Sequence, residues 1–273
     1  MNRDREGALL ARRPWECVSG STLKTLAVVS MFIDHLAAAV IYYLIRYEAL
    51  PAGTDVDAVI QLYYVMRGIG RTAFPIYCFL LVEGFVHTSR VSRYILRIFI
   101  FACISELPFD LAFFQKSAIG SADLGLVLRA HRETFAEHQN VFWTLLIGLI
   151  MLWAIDRLRE WLSGHLPVMV LFSVLVAAAA CAAAELACTD YGGWGVGLIL
   201  ILYCLRGYRL PAAAAGYVLM LQLYSEAWSF PGFILMLIYN GERGYVRRAG
   251  KYFFYAFYPA HLILLYRLRC AII

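Results

Sequence analysis

Apolar runs of helical length recur from residue 25 to the C-terminus, and no polar stretch between them is long enough for an independent domain. A bilayer core about 30 Å thick is crossed by roughly 20 apolar residues in a helix. Only helices and closed barrels can cross it with every backbone group satisfied. The chain therefore reads as all-α, a polytopic transmembrane helical bundle. Nine membrane segments are expected, within a range of eight to ten: 22–46, 67–88, 91–115, 140–156, 166–186, 191–206, 211–224, 227–240 and 251–269. Several are shorter than a full crossing, so tilted, kinked or partly spanning helices are expected among them. Residues 58–66 (AVIQLYYVM) stay open as a re-entrant or interfacial piece.

Composition agrees: 16% charged residues, 62% hydrophobic and a mean hydropathy of +0.68 exclude an ordinary soluble domain. The net charge of +5 does not point to nucleic acid, because the cations sit at helix ends. Sixteen of the 24 Lys and Arg fall on alternate connections: Arg3, Arg5, Arg12, Arg13 and Lys24; Arg90, Arg93 and Arg97; Arg157 and Arg159; Arg206 and Arg209; Arg243, Arg247, Arg248 and Lys251. The turns near 187–190 and 225–226 carry none. Positive charge marks the cytoplasmic side, which puts the N-terminus inside and the C-terminus outside. Residues 1–20 are then a cytoplasmic tail, and 21–273 a single membrane domain. Lys24 and the Asp34–His35 pair interrupt any signal-peptide core, so no cleavage is expected. The polar stretch 116–138 lies outside, as an amphipathic surface helix or as a plain loop. The seven cysteines lie singly with no C-x-x-C, which supports neither a disulfide framework nor a metal site.

Against this background the polar residues inside the apolar runs stand out. Asp34 and His35 occupy the middle of TLAVVSMFIDHLAAAVIYYLI, residues 25–45. A central Asp costs about 2.5–3.5 kcal/mol on insertion scales. Neighbours on a helix point ~100° apart, so each member of the pair needs a partner on another helix. His35 and His261 both lie roughly 16 Å from the inner helix ends, by a rise of ~1.5 Å per residue. Glu106 and Asp110 share one helix face, with Pro108 between them expected to kink the helix. Glu83 and His87 form another i,i+4 pair nearer the inside, whereas Arg71, Asn140 and Asp190 cluster at outer helix ends. Together they describe a polar pathway through a bundle. Simpler readings remain: His261 as a packed histidine, Glu83–His87 as a structural pair, Asp190 as a helix cap, and Arg90, Arg93 and Arg97 as topology signals.

A mid-depth histidine with a tunable pKa suits a general base, with Asp34 or Glu106 to orient it. No Ser or Cys stands beside either histidine as a nucleophile, and no phosphate-cradling Gly loop appears. A base reachable from both sides fits group transfer across a membrane. It fits proton-coupled transport or flipping too, although no inverted hydropathy repeat is visible. A non-catalytic assembly protein is a third reading, one that leaves the cost of the buried charges unexplained.

Six motifs in order add a resemblance. STLKTLAVVSMFIDH (21–35), RTAFPIYCFLLVEGFVHT (71–88), Arg97 through SELPFD (105–110), NVFWTL (140–145), DYGGWGV (190–196) and KYFFYAFYPAH (251–261) are similar to the TraX family. The resemblance implies an integral acyltransferase of the bacterial inner membrane. The family's namesake is associated with acetylating a pilin N-terminus, and a wider group of membrane acyltransferases uses cytosolic acyl-CoA. It implies His35 as the catalytic histidine with Asp34 beside it. It implies acetyl-CoA or another acyl-CoA as donor, without a metal. Its phosphates would be held by Arg90, Arg93 and Arg97 or by Arg247, Arg248 and Lys251. Arg71, Glu83, Glu106, Asp110, Asn140, Asp190, Tyr258 and His261 are the candidates for binding the acceptor or holding the polar network. The acceptor would be an amine or hydroxyl of a pilin or glycan, and a homo-oligomer is compatible with this reading.

Overall fold

The computed structural model describes residues 15–114, 137–244 and 250–273, with side chains from residue 253 in the last stretch. The tail 1–14, most of the polar connection 116–138, Arg247, Arg248 and the side chain of Lys251 lie outside the described residues. Among the described residues the fold is all helical, and four helical stretches are long and apolar enough to cross a membrane: Gly20–Arg46, Val56–Val86, Val141–Trp161 and Leu166–Leu186.

The first stretch is α1 (Gly20–Leu36), a π turn (Ala37–Ile41) and α2 (Tyr42–Arg46). Ser19 starts it by accepting the Thr22 N–H at 3.2 Å, the usual way to satisfy a first-turn donor. The π turn begins two residues after His35, where three alanines leave room for a neighbouring helix. Next come α3 (Val56–Gly70), capped by Asp55, and α4 (Ala73–Val86), joined through Arg71 and Thr72. Residues 58–66 therefore belong to a helical stretch that runs on into the next segment.

α5 (Val91–Phe113) continues through Pro108, and α6 (Val141–Trp161) starts at the Asn140 cap. α7 (Leu166–Leu186) buries Ala177 and Ala184 but leaves Leu171, Phe172, Val174 and Leu175 exposed along it. In water that surface would be costly, and in hydrocarbon it is not. α8 (Gly192–Cys204) is followed by α9 (Arg209–Met220), a 3₁₀ turn (Tyr224–Ser229), α10 (Phe230–Leu237) and α11 (Gly250–Ile272). With 12 and 8 residues, α9 and α10 are too short to cross the core singly. The segments expected at 211–224 and 227–240 are the two limbs of a short helical hairpin.

Two tertiary clamps sort the connections into opposite ends. A bridge between Val18 and Tyr239 and the 3.0 Å Glu16–Arg209 ion pair bring together the starts of α1 and α9 and the exit of α10. A Gln139–Thr189 bridge joins the start of α6 to the α7–α8 connection. Exposed Trp161 and Tyr208 lie in the basic connections, while exposed Tyr224 and Trp228 lie in the turn at the hairpin tip. That is the distribution of an aromatic belt at each interface. Arg269, fully buried in α11, is explained by the end of α5: its guanidinium donates to the Ala112 and Leu111 carbonyls at 2.8 Å and sits 3.9 Å over the Tyr43 ring. A cation there satisfies carbonyls that no helical N–H can reach.

Candidate functional site

Asp34 and His35 diverge as their spacing requires. Asp34 faces α3 and meets Arg67 at 2.6 Å and Arg71 at 3.7 Å. The approach depends on Gly70, where a Cβ would fall 2.1 Å from the Asp34 Cβ. Arg71 is shared. It also binds Glu226, fully buried in the 3₁₀ turn, at 3.0 Å and donates to the Tyr191 hydroxyl at 3.4 Å.

His35 faces α11. Its Nδ1 is 2.7 Å from His261 Nε2, and His261 Nδ1 is 2.7 Å from the Phe257 carbonyl oxygen. The protons follow from the partners. A carbonyl can only accept, so His261 Nδ1 carries the hydrogen. Neutral His261 then accepts at Nε2, His35 must donate from Nδ1, and His35 Nε2 is left as a free lone pair. Phe113 and Tyr258 pack edge-on against the His35 ring at 5.1 and 5.9 Å, fixing its plane.

Both arms open on one cavity of about 270 Å³. On α1 it is lined by Met31, Asp34, His35 and Ala38, and opposite by Gly70, Ala73, Phe74 and Tyr77. Each set has i, i+3, i+4, i+7 spacing, one helix face apiece. Val141, Asp190 and the end of α5 also line the cavity, the first two near the Gln139–Thr189 bridge in sequence. Asp190 lies in the α7–α8 connection among packed helices, yet its side chain is exposed because it borders the cavity. The protein packed around its remaining sides pushes its carboxyl up to about 6, with Arg71 opposing. Asp34, Glu226 and Asp190 set three carboxyl groups against two guanidinium groups. Of the three, Asp190 has no ion pair to a described cation.

The remaining candidates fall elsewhere. Glu106 accepts from the Asn140 side-chain amide and from Trp143 Nε1 at 2.8 Å, and Asn140 donates in turn to the Ala102 carbonyl at 2.9 Å. This buried cluster, with Asp110 one turn on, ties α5 to α6 and does not line the cavity. Neither Glu106 nor Asp34 orients His35 directly, because adjacency to α11 gives that place to His261. Glu83 and His87 lie apart, Glu83 beside Arg206 and Arg209 at a pocket of about 30 Å³, near the size of one water. Arg90 and Arg93 are exposed at the start of α5, and Arg97 is half-buried with its guanidinium 5.8 Å from the Tyr255 ring centroid. Among the described residues, no group of His, Cys, Asp and Glu could hold a metal ion.

Sequence reasoning missed Arg67, Glu226, Tyr77 and Tyr191. Arg67 was findable, since it stands four residues before Arg71 on one face of an apolar helix. Glu226 carried a weaker signal, a lone acid in an apolar turn; the tyrosines carried none.

A probable fimbrial assembly protein, FimC of serogroup H1 from Dichelobacter nodosus, is 29% identical over 272 residues, covering 90% of this chain and 94% of that protein. No solved structure matches the chain. A family model described as TraX protein matches residues 19–269, from the cap of α1 to the buried arginine of α11, and the chain belongs to the TraX family.

Proposed function

We propose that the chain is a membrane acyltransferase that moves an acyl group, best acetyl, from cytosolic acyl-CoA to an amine presented from the outer side. It would do so within a single domain of nine membrane segments, two of them the limbs of the α9–α10 hairpin. The observation that carries the reading is the lone pair on His35 Nε2, fixed by the Phe257–His261–His35 chain of hydrogen bonds. A base held in one tautomer at a cavity it shares with Asp34, Arg71 and Asp190 is what proton removal from an attacking acceptor needs.

His35 takes the acceptor proton as the new bond forms, and the resulting imidazolium remains hydrogen-bonded to His261. It returns that proton to the departing thiol sulfur. Asp34, held by Arg67 and Arg71, keeps α1 in register with α3. Asp190 places a carboxylate on the cavity lining, which favours an ammonium over a neutral hydroxyl as the arriving group; the ammonium gives up one proton to water there, and the neutral amine goes on to attack. A relative described as a fimbrial assembly protein supports a pilin-like N-terminus as that amine.

The donor supplies an activated thioester. Its phosphates would meet Arg90, Arg93 and Arg97, and Arg247, Arg248 and Lys251, at the cytoplasmic end. Arg93 and Arg97 share a helix face, and Arg97 is braced on Tyr255. Charge reversal at these positions is expected to raise KM for acetyl-CoA more than it lowers kcat, the behaviour of lost ground-state binding. If reversal of all six left KM unchanged, the donor would have to bind elsewhere.

The reading itself is tested in proteoliposomes with labelled acetyl-CoA on one side and a peptide with a free N-terminus on the other. Label should reach the peptide amine, and only when the two substrates face the sides assigned above. Movement of the peptide or of protons without acylation would replace the reading by transport.

A further inference from the structure

We infer that Tyr77 is the oxyanion donor of the proposed transfer, an inference that rests on that reading. Attack on a thioester places a full negative charge on the carbonyl oxygen, and a buried site needs a donor already aimed at it.

The other hydrogen-bonding side chains that line the cavity, Arg67, Arg71, Tyr191 and Tyr258 among them, already have partners. Arg67 and Arg71 are taken by Asp34, Glu226 and Tyr191. Tyr191 already accepts from Arg71 and stacks on Phe74. At the start of α6, the Phe142 N–H goes to the Asn140 side chain, and the Val141 N–H lies beside the Tyr258 hydroxyl. Tyr77 is the exception. No hydrogen bond to its hydroxyl is found among the described residues, and its side chain lines the cavity.

Position favours it further. Gly70, Ala73, Phe74 and Tyr77 descend one face of the cavity, and Tyr77 is the deepest, about 10 Å below Gly70 by helix rise. Gly70 is level with Asp34, so Tyr77 lies on the cytoplasmic side of His35, where a thioester arriving from that side must stop. Tyr258, whose ring is 5.9 Å from that of His35, lines the same cavity as Tyr77. The base and the hydroxyl thus border the same floor from two helices. In the step, the amine nitrogen bonds to the carbonyl carbon while His35 takes its proton. The C=O π pair moves onto oxygen, which accepts from the Tyr77 hydroxyl. Collapse re-forms the C=O, breaks the C–S bond and sends the sulfur pair out with the proton from His35. Tyr77 keeps its own proton throughout.

The test uses the full chain in proteoliposomes, with acetyl-CoA and an amine-bearing peptide. Tyr77→Phe keeps the ring and removes only the hydroxyl, so kcat should fall about 10²–10³-fold, with KM for either substrate within about threefold. Fluorinated tyrosines placed at position 77 should change kcat in step with hydroxyl acidity, which a packing role would not. A Tyr77→Phe kcat within threefold of wild type, or a rate indifferent to hydroxyl acidity, overturns Tyr77 as the donor while leaving His35-dependent transfer standing. Absence of any His35-dependent transfer in the wild type overturns the acyltransferase reading instead.

Discussion

Replacing His35 by alanine lowers acyl transfer by about 10²–10⁴-fold, the usual loss on removing a general base, and leaves CoA binding and expression near wild type. His35 packs between Phe113, Tyr258 and His261 without carrying a structural ion pair, so the bundle should tolerate the truncation. His261 gives the sharper discrimination. Its part is to accept from His35 Nδ1 and so keep Nε2 unprotonated. His261→Gln retains an acceptor and should lose less than His261→Ala, which leaves His35 free to adopt either tautomer. Loss of the correct tautomer alone costs roughly 10⁴-fold in a comparable triad. Initial rates of peptide acylation for the three variants decide the matter. A His35→Ala enzyme with more than a tenth of the wild-type rate would remove His35 from the chemistry, and equal losses for the two His261 variants would remove the tautomer argument.

The helical class was legible because membrane solvation imposes one rule on every spanning segment: apolar side chains around a self-satisfied backbone. Where that rule weakens, the reading weakened too. Residues 58–66 mix Tyr and Gln with aliphatics, and nothing local says that their helix runs on to Arg67 and then to Val86. The short α9 and α10 looked like two ordinary segments because hydropathy records apolar length and not the turn that ends it.

In the site, the outliers were legible one by one. Asp34, His35, Arg71, Asp190, Tyr258 and His261 were all singled out, and all but His261 line the cavity, which His261 reaches through His35. Their pairing was not legible. His35 and His261 are 226 residues apart, and which histidine meets which carboxyl depends on helix adjacency, which no local pattern encodes. Glu106 illustrates the point. By charge it was as good a partner for His35 as any, but the neighbouring α6 gives it to Asn140 and Trp143.

Arg71→Ala is expected to destabilise the protein far more than Arg67→Ala, although Arg67 makes the shorter contact with Asp34. The reason is what each removal strands. Without Arg67, Asp34 still has Arg71 at 3.7 Å, and Arg67 itself is 29% exposed toward the cavity, where water screens it. The loss there should be about 1 kcal/mol or less. Without Arg71, Glu226 loses the one cation it pairs with among the described residues while only 1% exposed, and the Tyr191 hydroxyl loses a donor. Breaking a buried pair on one side costs about 3–5 kcal/mol, most of it the penalty of the charge left behind. Two results follow. Reversible unfolding in mixed micelles should rank the variants wild type, Arg67→Ala, then Arg71→Ala, with a wide second gap. Adding Glu226→Gln to Arg71→Ala should recover part of the loss, because a neutral amide is cheaper to leave unpaired than a carboxylate. Equal losses for the two arginine variants would mean that Asp34, not Glu226, sets the value of Arg71. Failure of Glu226→Gln to relieve Arg71→Ala would mean that the buried acid is already neutral, and that the clamp between the hairpin tip and α3 is not held by charge.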